Sequence, residues 1–252
     1  MTRQHLIFIT GLALTIPACT SQSLETTFNE QETDIADYAE TAKFVACEFI
    51  RQTDADGNPQ FNDDGSEVLV REATDTIIPA VTHNGGATRL TIIDGSGAPL
   101  SESGSATIYF AGYVFTSGPE WTDYVSADID GTGTTWLLST PYTTFTVSSS
   151  AEGVTIGGTG SANGLSLFAT NHYATAGLSG WTLSDGDYEP ITVDLSSGDL
   201  IEGLQAGLPG VRAGEVCDIL FSGRYGLGKK PLGTVPANSA LLYRIWVVSI
   251  SE

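Results

Sequence analysis

Basic residues are scarce in this chain, which has 10 Lys and Arg residues against 30 Asp and Glu residues among its 252 positions. The formal net charge of −20 repels polyanions, and no basic patch interrupts the acidic background. We therefore expect no nucleic-acid partner, and no binding to anionic lipid head groups through charge.

Long hydrophobic runs are also missing. The apolar segment 6–16 follows a basic start at Met1–Arg3 and is too short to cross a bilayer as a mature helix. It ends in Ile16-Pro-Ala-Cys19, which resembles the lipobox of bacterial lipoprotein signals. The resemblance implies a signal peptide at 1–18, a lipid anchor on Cys19, and a place in the bacterial cell envelope, either periplasmic or surface-exposed. The alternative is an ordinary signal peptide cleaved nearby.

The polar stretch 19–32 is predicted to be a tether between lipid and folded domain.

Cysteine is rare, with Cys47 and Cys217 as the two thiols besides Cys19. An exported protein can form a disulfide, but buried free thiols also behave as small apolar residues. Cys217 is predicted on the inward face of a strand, and Cys47 in a helix-like run. These positions favour two unpaired cysteines over a bridge.

Signatures of covalent, nucleotide or metal chemistry are absent. No Gly-x-Ser-x-Gly, Walker or Rossmann pattern occurs, and His83 and His172 have no Cys, Asp or Glu at ligand spacing, so both are predicted to be surface or turn histidines. The acidic segments 54–59 and 62–65 resemble a calcium loop only faintly, because Pro59 stands where the sharp-turn glycine of an EF-hand is needed. They are interpreted as turns. We expect no cofactor and no metal.

Abundant Gly, Ser and Thr, with little helical periodicity, favour a β-rich chain. In the C-terminal part, Ile201, Leu204 and Leu208 have the spacing of a short helix that Pro209 ends. Two alternating segments predict strands, a half-buried one over 215–221 and a second over 241–250. The latter is apolar on both faces, so another element should cover it. A helix packed across a twisted antiparallel sheet, in the α+β class, follows.

The N-terminal region is less clearly patterned. Residues 25–50 are acidic and compatible with a helix, and 33–84 are predicted to form an N-terminal extension packed on the remaining domain. Between 116 and 165, alternation around Trp136–Leu138 and 143–147 predicts an extra hairpin or flap.

The C-terminal order of elements is the most specific feature. Residues 199–250 contain a short helix, a strand, a glycine-rich flap around Tyr225-Gly-Leu-Gly228, a proline turn and a final strand. Residues 89–113 contain a strand that ends in Tyr109-Phe110-Ala111-Gly112. Together they resemble FKBP-type peptidyl-prolyl isomerases. The resemblance implies an FKBP-like domain over 85–252, a twisted antiparallel sheet wrapped on a short helix, with an insertion at about 116–165 and a smaller expansion at 172–188.

The resemblance also implies a substrate pocket with apolar walls. Its candidate residues are Phe110, Phe168, Ile191, Leu200, Ile201, Leu204, Leu227, Val235 and Tyr243. Three positions lack the family's usual residue, since Leu204 replaces a tryptophan, Leu227 a hydrogen-bonding tyrosine and Ala169 an aspartate. Phe110 and Tyr243 exchange the usual tyrosine and phenylalanine. Each apolar candidate is equally compatible with a plain core role.

Two functions remain open at this point. The first is an FKBP-type isomerase that assists the folding of envelope proteins and whose own activity is weak or lost. Its partners would be proline-containing polypeptides. No residue is assigned as catalytic. The second is a non-catalytic module that uses the same scaffold to bind a peptide or a protein partner. Prolyl isomerisation needs no nucleophile, because a dry apolar cleft and a well-placed hydrogen bond suffice to favour rotation about the amide.

Overall fold

The computed structural model describes residues 19–61, 63, 65, 67–116, 123–128, 135–140, 144–150, 153–159, 165–172, 175–176 and 187–252. For 19–22, 45–51, 69–75 and the strands between 123 and 159, the structure describes the backbone alone. The predicted signal peptide 1–18 and most of the expansion 172–188 lie outside the described residues. Neither helix described here combines the length and the apolar character that a bilayer crossing requires.

Two helices and thirteen strands make up the described elements. In chain order they are α1 (Cys19–Thr41), β1 (Phe44–Arg51), β2 (Leu69–Ile77), β3 (Ala80–Asn84), β4 (Ala87–Ile93), β5 (Ser105–Phe115), β6 (Asp123–Asp128), β7 (Thr135–Thr140), β8 (Thr144–Ser150), β9 (Gly153–Thr159), β10 (Leu165–Thr170), β11 (Ile191–Asp194), α2 (Glu202–Gly207), β12 (Val216–Phe221) and β13 (Leu241–Ser251).

A large antiparallel sheet forms the centre of the protein. Its strand order is β10-β5-β13-β12-β4-β3, and β11 pairs with β5 on the same side as β10. The predicted strands over 215–221 and 241–250 are β12 and β13, and the predicted helix is α2. The α+β fold class is therefore confirmed. Strand β3 belongs to this sheet through its pairing with β4, so the sheet begins at Ala80, before the predicted boundary at residue 85.

Helices cover both faces of this sheet. On one face α2 contributes Leu204 and Leu208 to a core that includes Ile219 and Phe221 of β12. On the other face α1 contributes Ile35 and Tyr38, together with other small and apolar residues, to a second core. Every residue of β12 is buried as a result, whereas the sequence predicted a half-buried strand. On the second face of β13, Leu242 and Trp246 are buried in the same core as the α1 residues, as expected, whereas Val248 is 49% exposed.

The predicted tether 19–32 is helical, because it is the first half of α1. Phe28 is buried, and Glu25 and Glu32 both form ion pairs with Arg224 at 2.9 and 3.2 Å. Polar composition alone suggested a free linker. One buried aromatic side chain and these charge contacts instead hold the segment on the folded domain.

The helix-like interpretation of residues up to 50 is wrong beyond Thr41. Residues 44–51 form strand β1, which pairs with β2 along its length and with β6 in parallel at Ala46 and Cys47. Aromatic and β-branched residues such as Phe44 and Val45 favour strands where partners are available. The Cys47 side chain lies outside the described part, whereas Cys217 is buried and free, as predicted.

The insertion 116–165 contains the strands that alternation predicted, with β7 at 135–140 and β8 at 144–150. Strands β6 and β7 extend the β2-β1 pair into a four-stranded sheet, and β8 pairs with β9. The insertion is therefore more than a single flap, because part of it completes a sheet begun by the N-terminal extension.

The acidic segment after β1 forms a turn, as predicted. The carboxylate of Asp54 accepts hydrogen bonds from the backbone N–H groups of Asp56 and Asn58, both at 2.9 Å. Hydrogen bonds from Asn58 lower the pKa of Asp54.

Candidate functional site

Glycines bring helix α2 into direct contact with the sheet. A Cβ atom on Gly203 would lie 2.1 Å from Cγ of Phe221, and one on Gly207 would lie 2.3 Å from Cγ2 of Ile219. Both positions therefore require hydrogen as a side chain. The close approach places Leu200, Ile201 and Leu204 against the apolar face of the sheet.

Four aromatic rings meet beside this helix, and Tyr243 of β13 is the ring that contacts the other three. Its ring stacks on Phe221 at 6.0 Å and 16° between planes, meets Phe168 edge to face at 5.8 Å, and lies 6.2 Å from the tilted ring of Phe110. Offset and edge-to-face contacts of this kind stabilise aromatic groups beyond simple burial. We call Phe110, Phe168, Phe221 and Tyr243 the aromatic cluster.

Gly112 makes room for two of these rings. A Cβ atom at this position would lie 2.8 Å from Cζ of Phe168 and 3.2 Å from Cε1 of Tyr243. The glycine of the Tyr109–Gly112 motif is therefore needed by the packing of the aromatic cluster. Ala169, which follows Phe168, pairs with Gly112 across the sheet.

Tyr243 brings the one polar side-chain group into the aromatic cluster. The residue is half-buried, and within the described ranges no group forms a hydrogen bond with its hydroxyl. Burial raises the pKa of Tyr243 to about 12. The phenol is thus neutral at physiological pH and keeps its proton available for donation.

Eight of the nine predicted pocket residues belong to one hydrophobic core. Those eight are Phe110, Phe168, Leu200, Ile201, Leu204, Leu227, Val235 and Tyr243. Ile191 lies apart on β11, where its side chain is 43% exposed and its strand partner is Ile108. The structure therefore brings the predicted set together with this one exception.

A loop that we call the flap, residues 223–240, carries Leu227 and Val235. Its two ends lie together, because a Cβ atom on Gly223 would be 2.2 Å from the carbonyl oxygen of Asn238. The Gln31 side chain of α1 bridges them, accepting from the Gly223 N–H at 2.8 Å and donating to the Asn238 carbonyl at 2.8 Å. Helix α1 therefore holds the base of the flap.

Tyr225, two residues before Leu227, lies outside the aromatic cluster. Its ring packs on the β3–β4 turn, where a Cβ atom on Gly86 would lie 2.3 Å away. There it lines an open cavity of about 340 Å³ together with Glu32 and His83. The aromatic cluster includes no contact with this ring.

Asn171 and Phe221 are site residues that sequence reasoning missed. The amide oxygen of Asn171 accepts from the Phe110 N–H at 2.7 Å, and its amide nitrogen donates to the carbonyls of Ile108 and Glu189 at 3.3 and 3.0 Å. On β5, the pairing with β11 ends at Ile108 and the pairing with β10 begins at Ala111. The hydrogen bonds of Asn171 bind the backbone between these two pairings and fix the position of Phe110. For Phe221, the alternation in β12 was a usable signal, since this ring lies on the same face of the strand as Cys217, which was predicted to point inward.

Polar residues are buried on the opposite face of β13. The guanidinium of Arg244 donates to both carboxylate oxygens of Asp218, at 2.7 and 2.6 Å, and neither side chain is exposed. His172 stacks on Trp246 at 4.0 Å and 7°, and Thr175 forms a hydrogen bond with its Nδ1 at 2.9 Å. The prediction that His172 is a surface or turn residue is wrong, because it is 1% exposed. Burial and the charge of Arg244 lower its pKa to about 3.

His83 is exposed, in agreement with the prediction for that residue. Across the described ranges, no three His, Cys, Asp or Glu side chains lie close enough together to hold a metal ion.

Comparison with known proteins identifies the class of this site. Residues 166–248 match the family model described as FKBP-type peptidyl-prolyl cis-trans isomerase. FK506-binding protein 1 of Aspergillus oryzae is 31% identical over 62 residues, which are 25% of this chain and 53% of that relative. The match thus spans about half the length of the relative. Residues 166–248 are therefore similar to an FKBP-type domain.

Three solved structures were also matched, with TM-scores of 0.37 to 0.40. A peptidyl-prolyl cis-trans isomerase from Pseudomonas syringae pv. tomato is 12% identical, with a TM-score of 0.38 over 69% of this chain and 83% of that chain. The three FKBP domains of wheat FKBP73 are 16% identical, with a TM-score of 0.37 over 71% and 53%. A multi-domain immunophilin from Arabidopsis thaliana is 12% identical, with a TM-score of 0.40 over 71% and 48%.

Proposed function

We propose that the protein is a peptidyl-prolyl cis-trans isomerase of reduced activity that assists the folding of exported polypeptides. The observation that carries this proposal is the aromatic cluster around Tyr243, which lies beside α2. Three of its members, Phe168, Phe221 and Tyr243, fall within the segment 166–248 that matches the FKBP-type family. Proline-containing segments of unfolded chains are the proposed substrates.

The mechanism requires an apolar surface more than a reactive group. Resonance across the peptide bond gives rotation a barrier of about 18–20 kcal/mol in water. The twisted amide has lost this resonance and is less polar at its carbonyl than the planar form. A site walled by Phe110, Phe168 and Ile201 withholds the solvation that favours the planar amide.

Two departures from the family support reduced activity. Leu227 on the flap has no hydroxyl, and Ala169 beside Phe168 has no carboxylate. Removing one well-placed donor from a desolvated catalytic site costs roughly 100-fold or more in rate. The apolar walls remain, so binding should suffer less than turnover.

The same departures support a second function, a binding module without turnover. An apolar site that retains its aromatic walls can hold a proline-containing peptide, and Leu227 removes the flap donor that an active isomerase uses. A rate measurement separates these two functions.

The test is a protease-coupled isomerisation assay with the peptide succinyl-Ala-Leu-Pro-Phe-p-nitroanilide. Isomerase function predicts a rate above the uncatalysed one, and a further increase for Leu227→Tyr, which returns a hydroxyl to the flap. The exposed substitution His83→Gln serves as a control and should leave the rate unchanged. If the peptide binds but the wild-type rate equals the rate in buffer, isomerase function is excluded and the binding function remains. If Leu227→Tyr does not change the rate, the assignment of Leu227 to the donor position on the flap is wrong.

The anchoring of the protein is part of the proposal. Cleavage before Cys19 and attachment of lipid to its sulfur would hold the chain at the bacterial cell envelope, as the Ile16–Cys19 motif suggests. Mass spectrometry of membrane-extracted protein tests this, with Cys19→Ser as the control. An unmodified Cys19 in the mature protein would refute the anchor.

A further inference from the structure

The aromatic cluster contains a single polar side-chain group, the hydroxyl of Tyr243. The other three members are Phe110, Phe168 and Phe221, which neither donate nor accept conventional hydrogen bonds. On the flap, the position expected to carry a donor is Leu227. A peptide carbonyl that enters this site therefore needs another donor.

The Tyr243 hydroxyl is available for that role. In the part of the chain that the structure describes, it forms no hydrogen bond, although contacts with three rings fix the orientation of its own ring. The hydroxyl is accessible to solvent, so an incoming carbonyl oxygen can reach it and take the place of water as its hydrogen-bond partner.

Local structure keeps the ring in place from both sides. Gly112 leaves space against the edge of Tyr243, since a Cβ atom there would lie 3.2 Å from its Cε1. Strand β13 pairs Tyr243 with Gly112 of β5 and with Ile219 of β12, so its backbone is fixed between two strands. The donor is therefore held on the sheet and not on a loop.

We propose that the hydroxyl of Tyr243 binds a carbonyl oxygen of the proline-containing substrate, a binding contact that does not restore the turnover lost with the flap donor at Leu227. The inference rests on the proposed peptide-binding function of the same site. Tyr243 is here a substrate-binding residue, since a donor to a carbonyl holds both the planar and the twisted amide. Such an interaction contributes mainly to KM and only weakly to kcat.

The decisive variant is Tyr243→Phe, which removes one oxygen atom and retains the ring. With succinyl-Ala-Leu-Pro-Phe-p-nitroanilide as substrate, we expect KM to rise about five- to tenfold with kcat nearly unchanged, the usual effect of one neutral hydrogen bond. Tyr225→Phe is the matched control, because it removes a tyrosine hydroxyl outside the aromatic cluster. An unchanged KM in Tyr243→Phe, with wild-type peptide binding intact, would overturn this inference alone.

A second measurement is independent of turnover. In protein labelled with ¹³C at Cζ of tyrosine, addition of the same peptide should shift the Tyr243 signal, assigned from Tyr243→Phe, and leave the Tyr225 signal in place. A bound peptide that shifts neither signal would contradict the hydrogen bond. A wild-type protein that neither binds nor turns over the peptide would overturn the proposed function and this inference together.

Rescue provides the sharpest discrimination from a structural role. A hydroxyl returned to the flap offers the bound carbonyl another donor, so Leu227→Tyr in the Tyr243→Phe background should restore most of the lost affinity, and the two changes should be non-additive. Circular dichroism and thermal unfolding verify that the variants are folded. Additive effects, with no restoration by Leu227→Tyr, would count against the exchange of donors between the two positions.

Discussion

Replacing His172 tests whether this residue is buried and uncharged on the face of β13 opposite the aromatic cluster. In the folded protein the pKa of His172 is about 3, because burial disfavours its charged form and Arg244 repels it; the ordinary value is 6.5. The unfolded chain therefore binds a proton at pH 5 that the folded protein does not. Stability is fully present above about pH 6.5 and falls as the pH drops from there towards 3.

The size of this effect follows from the pKa difference. Between pH 6.5 and 5, proton binding to His172 stabilises the unfolded state by about 1.4 kcal/mol for each pH unit. Over these 1.5 units the free energy of unfolding therefore falls by about 2 kcal/mol. His172→Phe keeps a flat ring on Trp246, where the two rings stack at 4.0 Å, and it removes the titration. The variant loses the bond to Thr175, so the comparison concerns the pH dependence of unfolding and not its absolute free energy.

Urea unfolding at pH 7.5 and pH 5.0, followed by tryptophan fluorescence, measures both proteins. Wild type should lose about 2 kcal/mol more than His172→Phe between these pH values. The exposed His83→Gln variant should behave like wild type. Equal pH dependence in wild type and His172→Phe would refute the neutral, buried state of His172.

Three further predictions concern packing. Asp218→Ala should destabilise the protein by about 3–5 kcal/mol in urea unfolding, because it removes the carboxylate that pairs with the buried Arg244 charge. The double change Asp218→Leu, Arg244→Met should cost far less, and equal costs would contradict this. Gly203→Ala should lower the free energy of unfolding by about 1–3 kcal/mol, because its methyl group would clash with the neighbouring β12 phenylalanine. Gly226→Ala, whose methyl group would have no contact closer than 3.4 Å, should have little effect on stability in the same thermal unfolding experiment. Similar losses in both variants would contradict the tight helix contact. Phe28→Ala should loosen α1 by up to about 3 kcal/mol and speed its amide hydrogen exchange, and unchanged exchange would argue against a docked helix.

The C-terminal elements were predictable because their signals are local. The spacing of Ile201, Leu204 and Leu208 indicated α2, and alternation indicated β12 and β13 at nearly the observed bounds. The pocket set followed from the family resemblance once these elements were in order, and eight of its nine members lie in one core. Ile191 stands apart, since β11 pairs with the far end of β5 and leaves that side chain exposed.

The failures concern features that depend on partners distant in sequence. Strand β1 pairs with β6 through Ala46 and Tyr124, and no pattern within residues 42–50 reveals this pairing. The polar start of α1 is held by Arg224, almost 200 residues away. His172 has an ordinary local sequence, and its burial is decided by Trp246 on another strand. Long-range pairing and charge contacts overrode composition in each case.

The central claim is that proline-containing peptides bind at the aromatic cluster beside α2. Titration of ¹⁵N-labelled protein with succinyl-Ala-Leu-Pro-Phe-p-nitroanilide, followed by amide chemical shifts, tests it directly. The account predicts the largest shifts at Phe110, Phe168, Leu227 and Tyr243, with Ile191 little affected. Shifts concentrated elsewhere on the sheet, or no shifts at all, would contradict it.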